Sequence, residues 1–119
     1  MTGAVYQGIT TPCYLLEEEK LTANLELVEQ VQKRSGCEII LALKGFAMWS
    51  AFPLIKAYLK GCSASSYNEA RLAREKFGGH VHLYSPAYRE EEFDSLIDLS
   101  DRISFNSISQ WHRFADRAI

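Results

Sequence analysis

Hydrophobic residues occur along the chain in two patterns, a recurrence every three or four residues and short unbroken runs. The first predicts helices and the second predicts buried strands. Between residues 17 and 33, apolar residues recur every three or four positions, the spacing of a helix with one buried face. A strand is predicted over 38–44, because its interior is apolar without polar alternation, as in a parallel strand that is covered on both faces. Ser35 and Gly36 separate these two segments, since glycine commonly ends a helix.

Further strands and helices are predicted before residue 17 and after residue 44. A loose arm is predicted over 1–11, and a short strand over 12–16 that begins at Pro12. The later predictions are, in order, a helix at 49–59, a strand at 62–65, a helix at 66–77, a strand at 80–84, a helix at 85–99, a strand at 102–105 and a helix at 107–119.

Helix starts are marked by residue types that cap free backbone amides. Ser66 with Glu69, and Ser107 with Gln110, match the capping box, in which each side chain binds a backbone amide of the other residue. Ser85 followed by Pro86 predicts a third start, with the serine as N-cap and the proline at the first helical position.

Strands that begin roughly 20 residues apart, each followed by one helix, predict a βα repeat with parallel strands. Such a repeat builds either an open doubly wound sheet or a closed (β/α)8 barrel. We favour the barrel, because the glycine-rich turn of a dinucleotide fold does not follow the first strand. Four strands are half of a barrel, so we expect residues 1–119 to be the N-terminal part of a longer domain with an open sheet edge.

Composition excludes several classes of function. The 119 residues are 47% hydrophobic with a formal net charge of -2, which gives no basic surface for nucleic acid. No apolar run is long enough for a membrane span and no signal peptide is evident, so we expect a cytoplasmic protein. The three cysteines form no CxxC pair, which favours buried apolar roles over disulfides.

Lys44 ends the apolar run and is the first candidate for chemistry. Burial disfavours the ammonium form, and a neutral lysine can attack an aldehyde such as that of pyridoxal 5'-phosphate (PLP). The plainer alternative is a strand-end lysine that extends into solvent. His80 and His82 are a possible metal pair, but we expect ordinary hydrogen-bonded histidines because no third ligand is suitably spaced.

Four stretches resemble the carboxynorspermidine decarboxylase family, in the alanine racemase-like fold group that includes the ornithine and diaminopimelate decarboxylases. They are TPCYLLEEEKLTANLELV, ALKGFAMWSAFPLI, SASSYNEARLARE and VHLYSPAYREEEF, and together they span almost the whole chain. The A-[VL]-K core is shared by the wider group, whereas GFAMWSAFPLI narrows the choice to this family.

The resemblance implies PLP-dependent decarboxylation of carboxynorspermidine or carboxyspermidine, with Lys44 forming the internal aldimine. By the same correspondence Ala42 lines the cofactor. Glu69 matches an acidic position that relatives use near the lysine, although its capping role is a sufficient explanation. The resemblance also implies a homodimer and a C-terminal β domain outside residues 1–119, so the chain alone is expected to be inactive.

Two alternatives remain open. One keeps PLP and Lys44 but changes the reaction to racemisation or to decarboxylation of another amino acid, such as diaminopimelate. The other is a non-catalytic α/β module that binds PLP or a protein partner. Trp49 and Phe52, which follow the lysine, are predicted to pack in the core rather than to contact substrate.

Overall fold

The computed structural model describes residues 8–119, so most of the arm predicted over 1–11 lies outside the described residues. The helices are α1 (Glu18–Ser35), α2 (Phe52–Lys56), α3 (Tyr67–Leu72), α4 (Glu90–Leu99) and α5 (Ile108–Ala118). The strands are β1 (Leu41–Ala42), β2 (Gly61–Ala64), β3 (His80–Tyr84) and β4 (Arg102–Ser104). A 3-10 turn at Trp49–Ala51 leads into α2, and the π-helical turn Ala73–Phe77 extends α3.

The four strands form one parallel sheet in the order β1, β2, β3, β4, which confirms the predicted α/β class. Neighbours in the sheet are neighbours in sequence, whereas a doubly wound sheet reverses its order at a switch point. A sheet that grows in one direction, with a helical segment after each strand, is the arrangement found in half of a (β/α)8 barrel.

The two faces of the sheet differ in chemistry. One face packs against the helices and carries Cys62, Ala64, Val81 and Leu83, each at most 1% exposed. We call the opposite face the open face, because none of its residues belongs to the hydrophobic core. The strand register aligns its residues in one row, listed here: Ala42, Ser63, His82 and Arg102.

Aromatic rings fill the layer between the sheet and the helices. Phe52 of α2 meets Phe77 edge to face, with ring centroids 5.4 Å apart. Phe93 of α4 stacks on Phe114 of α5 at 4.2 Å. Phe52 thus confirms its predicted core role, but Trp49 is 64% exposed and the core prediction for it is wrong, since the 3-10 turn directs it away from the core.

Both predicted capping boxes begin helices, but only the serine half of each forms as expected. The Ser66 hydroxyl accepts from the Glu69 amide and the Ser107 hydroxyl from the Gln110 amide, each at 3.2 Å. The Glu69 carboxylate instead accepts from the Ser65 amide, and the Gln110 side chain accepts from the Tyr88 amide at 2.8 Å. The second half of each box therefore ties the helix to a loop.

Three predicted boundaries are wrong. Residues 12–16 form no strand, and Tyr14 is fully exposed, because no strand lies beside this segment in residues 8–119. The strand predicted over 38–44 shortens to β1, an edge strand. The fourth helix starts at Glu90 rather than beside Pro86, since Tyr88 turns inward and its hydroxyl donates to the Ser104 carbonyl at 2.6 Å.

The start of β3 passes so close to the start of β2 that side chains are excluded there. A Cβ atom at Gly79 would lie 2.1 Å from the Lys60 carbonyl oxygen, and one at Gly61 would lie 2.8 Å from the His80 Cβ. This contact fixes the register of the two central strands. Within residues 8–119, the helices are too short or too polar to cross a bilayer.

Candidate active site

Lys44 lies at the carboxyl end of β1, where the chain leaves the sheet. The Leu43 amide still donates to the Ser63 carbonyl at 3.0 Å, so pairing with β2 continues to this point. A tight turn follows, in which the amides of Gly45 and Phe46 both donate to the Ala42 carbonyl. Leu43 is 2% exposed while Lys44 is exposed, so the turn presents the amine at the rim of the sheet.

The predicted burial of Lys44 is wrong within residues 8–119. Its side chain is exposed because β1 pairs with β2 alone and because no layer covers the open face beside it. Ala42, two residues earlier, is also exposed on the open face. The predicted position at a strand end is correct, however, and this is the edge at which parallel α/β barrels carry their active sites.

The connection from α1 to β1 is held in place by one side chain, which bridges two segments. Gln32 of α1 donates to the Tyr58 carbonyl at 3.1 Å and accepts from the Ile39 amide at 2.8 Å. These bonds fix the approach of the chain to β1 and hence the position of Lys44. Sequence reasoning missed this bridge, because Gln32 occurs in a polar stretch of α1 without a distinguishing pattern.

Glu69 lies in the first turn of α3, and its partly buried side chain reaches back to the connection between β2 and α3. Its carboxylate accepts from the Ser65 amide at 2.7 Å and from the Ser65 hydroxyl at 2.8 Å. Glu69 thus holds the residue that directly follows β2. Its predicted role in cofactor binding stays a prediction, and the geometry adds a positioning role through Ser65.

Two more residues lie with Lys44 at the carboxyl edge of the sheet. Lys44 follows β1, Ser65 directly follows β2 and Tyr84 ends β3, so the carboxyl ends of three adjacent strands carry these residues, which we call the row. Tyr84 is 42% exposed, and its hydroxyl donates to the Asn106 side-chain oxygen at 2.8 Å. Sequence reasoning missed Tyr84, although strict alternation along β3 from His82 would have placed it on the open face.

His82 lies one level below this row and is partly buried. Its Nε2 atom is 2.9 Å from the Ser104 hydroxyl, which fits the expectation of an ordinary hydrogen-bonded histidine. Among residues 8–119, no three His, Cys, Asp or Glu side chains come together in a way that could hold a metal ion.

A cleft of about 360 Å³ opens beside the row, between the connections that follow β2 and β3. Its floor is apolar, formed by Leu83 and Leu96, and its rim carries Asn68, Arg89 and Glu92. The carboxyl edge of the sheet therefore combines an amine, several hydroxyl groups and an adjoining cleft. This combination can hold a small polar molecule and offers Lys44 as a nucleophile.

The sequence of the chain is similar to those of known decarboxylases. The chain is 47% identical over 109 residues to carboxyaminopropylagmatine decarboxylase of Synechocystis sp. and 46% identical over 110 residues to carboxynorspermidine/carboxyspermidine decarboxylase of Herminiimonas arsenicoxydans. In each case the match covers 92% of this chain. No protein-family model matches the sequence.

A solved structure, carboxynorspermidine decarboxylase of Campylobacter jejuni in complex with norspermidine, superposes with a TM-score of 0.89 at 44% identity over 92% of this chain. The chain resembles carboxynorspermidine decarboxylase in both sequence and fold. The resemblance predicted from sequence motifs is thereby confirmed. The chain spans 28% to 30% of the length of these relatives.

Proposed function

We propose that this chain is the N-terminal part of a PLP-dependent decarboxylase that removes carbon dioxide from a carboxylated polyamine, carboxynorspermidine or carboxyspermidine. The observation that carries the proposal is the position of Lys44 at the carboxyl end of the first barrel strand, in a chain that superposes on a carboxynorspermidine decarboxylase. The names of the relatives support decarboxylation as the reaction.

The residues present fit the anchoring part of a PLP site. Lys44 is exposed at the sheet edge, so its amine is accessible to an aldehyde. Ala42 has a small, exposed side chain two residues before Lys44 and would line the cofactor. The groups that would bind the phosphate and the pyridine nitrogen belong, in this proposal, to the rest of a longer chain.

When bound, PLP supplies an electron sink for the carbanion left by loss of carbon dioxide. The residues of this chain position the reactants and move protons. Lys44 would hold the cofactor through its Nζ atom, and the same amine would be able to carry a proton. Glu69, through its two bonds to Ser65, would keep the neighbouring wall of the site in place.

Closure of the barrel by further strands would remove Lys44 from bulk water, as the sequence pattern predicted for it. Exclusion of water lowers the cost of the neutral amine and strengthens every polar contact in the site. We propose that the full-length protein adds a C-terminal β domain, forms a homodimer and acts in the cytoplasm. Residues 1–119 alone would lack the groups that complete the site.

The test is covalent labelling of the full-length protein with PLP. Borohydride reduction followed by peptide mass spectrometry is expected to find the pyridoxyl group on Lys44. Lys44→Ala should lose both the visible absorbance of the bound cofactor and the release of carbon dioxide from carboxynorspermidine. Lys76→Ala is the matched control, because Lys76 is exposed on the far side of the π-helical turn. A pyridoxyl group on any other lysine contradicts the proposal.

A second substrate is favoured by a specific comparison. Because the chain is 47% identical to a carboxyaminopropylagmatine decarboxylase, carboxyaminopropylagmatine is the alternative. Measuring kcat/KM for this compound, carboxynorspermidine, carboxyspermidine and meso-diaminopimelate in parallel assigns the substrate. A preference for diaminopimelate would overturn the polyamine assignment while leaving Lys44 as the anchor.

A further inference from the structure

The row next to Lys44 carries hydroxyl groups whose hydrogen atoms are already engaged. The Ser65 hydroxyl donates to the Glu69 carboxylate at 2.8 Å, and the Tyr84 hydroxyl donates to the Asn106 side-chain oxygen at 2.8 Å. A hydroxyl group has one hydrogen to donate and two lone pairs that accept. At the carboxyl edge of the sheet, Ser65 and Tyr84 therefore present free acceptors and no free donor hydrogen.

This one-sided pattern selects for a ligand rich in N–H donors. A carboxylate has no hydrogen to donate and needs donors from the protein, which these two oxygens cannot supply. An alkylammonium group carries up to three N–H donors and no acceptor, so it matches the row. The exposed face of the Tyr84 ring adds a further attraction for a cation.

The spacing of the row suits a chain-like molecule held at one end by Lys44. Tyr84 ends β3, and β3 lies two strands from β1, about 10 Å at the usual distance between neighbouring strands. Lys44 and Tyr84 both lie at the carboxyl edge of the sheet, so a chain-like molecule that reacts at Lys44 can extend along this edge and place a distant amine near Tyr84.

We propose that Tyr84, supported by Asn106, and Ser65, supported by Glu69, accept hydrogen bonds from the ammonium groups of the substrate and thereby determine its specificity. The inference rests on the proposed function and adds the residues of this chain that recognise the polyamine part. It also gives Glu69 a defined task. The carboxylate orients the Ser65 hydroxyl so that an acceptor lone pair faces the substrate.

The experiment uses the full-length holoenzyme and compares Tyr84→Phe, Ser65→Ala and wild type. Tyr84→Phe keeps the ring and removes the acceptor oxygen. We expect KM for carboxynorspermidine and the inhibition constant of norspermidine to rise together, by about tenfold or more, as for loss of a hydrogen bond to a charged group. We expect kcat and the absorbance of the bound cofactor to stay within about twofold of wild type, because the reacting carbon is untouched.

Tyr14→Phe is the matched control, since Tyr14 is fully exposed before α1 and the change should leave both constants unchanged. A fall in kcat with KM unchanged would show that Tyr84 acts on the chemical step and would overturn the inference. Unchanged KM and unchanged norspermidine inhibition would overturn it as well. A wild-type enzyme that releases no carbon dioxide from any carboxylated polyamine would instead refute the proposed function, and the inference with it.

Discussion

At the scale of single residues, burial decides which reactive groups can take part in chemistry. Cys62 is fully buried on the helix-covered face of β2, and burial raises the pKa of its thiol to about 12. Cys13 and Cys37 are exposed. The sequence alone suggested buried roles for all three, which is correct for Cys62 and wrong for the other two, because both lie in connections beside α1.

The cysteines give the first prediction at this scale. In the folded protein at pH 8, iodoacetamide should alkylate Cys37 at least a hundredfold faster than Cys62, because the thiolate is the attacking form and the Cys62 thiol is both buried and protonated. Peptide mass spectrometry over a time course measures each site. Addition of denaturant should abolish the difference, and equal rates in the native state would contradict the burial of Cys62.

Asp101 gives a pH-dependent prediction. Its carboxylate accepts from the Val81 amide at 2.8 Å and lies 3.1 Å from Arg74. The hydrogen bond from the Val81 amide contributes most, and the charge of Arg74 adds to it; together they hold the pKa of Asp101 below its usual range. Since the folded-state pKa is lowered, Asp101 stabilises the fold above the unfolded-state pKa of about 4, and this contribution is lost as the pH falls through the folded-state pKa.

Asp101→Asn should therefore lower the free energy of unfolding at pH 7 by roughly 1 kcal/mol, a modest value because the carboxylate is 43% exposed and screened by solvent. The deficit should shrink as the pH is lowered through the acid range. Urea unfolding at several pH values measures it. Asp98→Asn, an exposed change on α4, is the control and should have no effect. A deficit that does not depend on pH would assign the effect to packing instead of charge.

At the scale of elements, sequence patterns succeed where an element has neighbours on both sides. The alternation in HVHLY predicts β3 at its observed bounds, because β3 pairs with β2 and β4 and packs against helices. The apolar run around β1 equally predicts a strand of seven residues. The observed β1 spans only Leu41 and Ala42, because it lies at the edge of the sheet. Pairing depends on residues far away in sequence, which a local pattern cannot include.

In the candidate site, the positions of residues on strands could be predicted from the sequence, but the hydrogen bonds that link elements could not. Lys44 and its place at a strand end follow from the pattern, as does the position of Ala42 on the open face. The links from Glu69 to Ser65 and from Gln110 to the Tyr88 amide do not, because each capping side chain has two backbone amides within reach and the loop geometry selects between them.

The close approach of β2 and β3 gives a prediction for these elements. Gly79→Ala should destabilise the fold by more than about 2 kcal/mol, because the new Cβ would overlap the Lys60 carbonyl oxygen. Neither atom can move away unless the backbone itself shifts. Gly45→Ala is the control, since a Cβ there would lie 3.4 Å from the Ala42 oxygen and meets ordinary contact. Thermal unfolding compares the two, and equal melting temperatures would show that the backbone separates at little cost.

At the scale of the whole molecule, the sheet formed by residues 8–119 has two edges without a partner strand in these residues and one face that they leave uncovered. Edge strands present free amides and carbonyls that pair readily with another chain. Ile108, Trp111 and Ile119 add exposed apolar surface at the β4 side of the sheet. A closed barrel would use both edges and cover the open face, and in this proposal the remainder of the full-length protein supplies those strands.

This arrangement predicts how residues 1–119 behave when produced alone. We expect self-association at micromolar concentration, measured by sedimentation velocity, with binding of a hydrophobic dye and no retained absorbance of bound cofactor once free PLP has been removed by gel filtration. The full-length protein should show neither self-association beyond its dimer nor dye binding. A monomeric, dye-free short chain would mean that the sheet edges are protected without further strands.

The open edges also have a consequence for synthesis on the ribosome. These residues would emerge first, and translation of a chain three times as long requires on the order of tens of seconds at 5 to 20 residues per second. Throughout that interval the nascent sheet would expose β1 and β4 to other polypeptides in a crowded cell. We therefore expect the half-made protein to depend on a chaperone, which pull-down of stalled ribosome complexes with and without the later coding sequence would reveal.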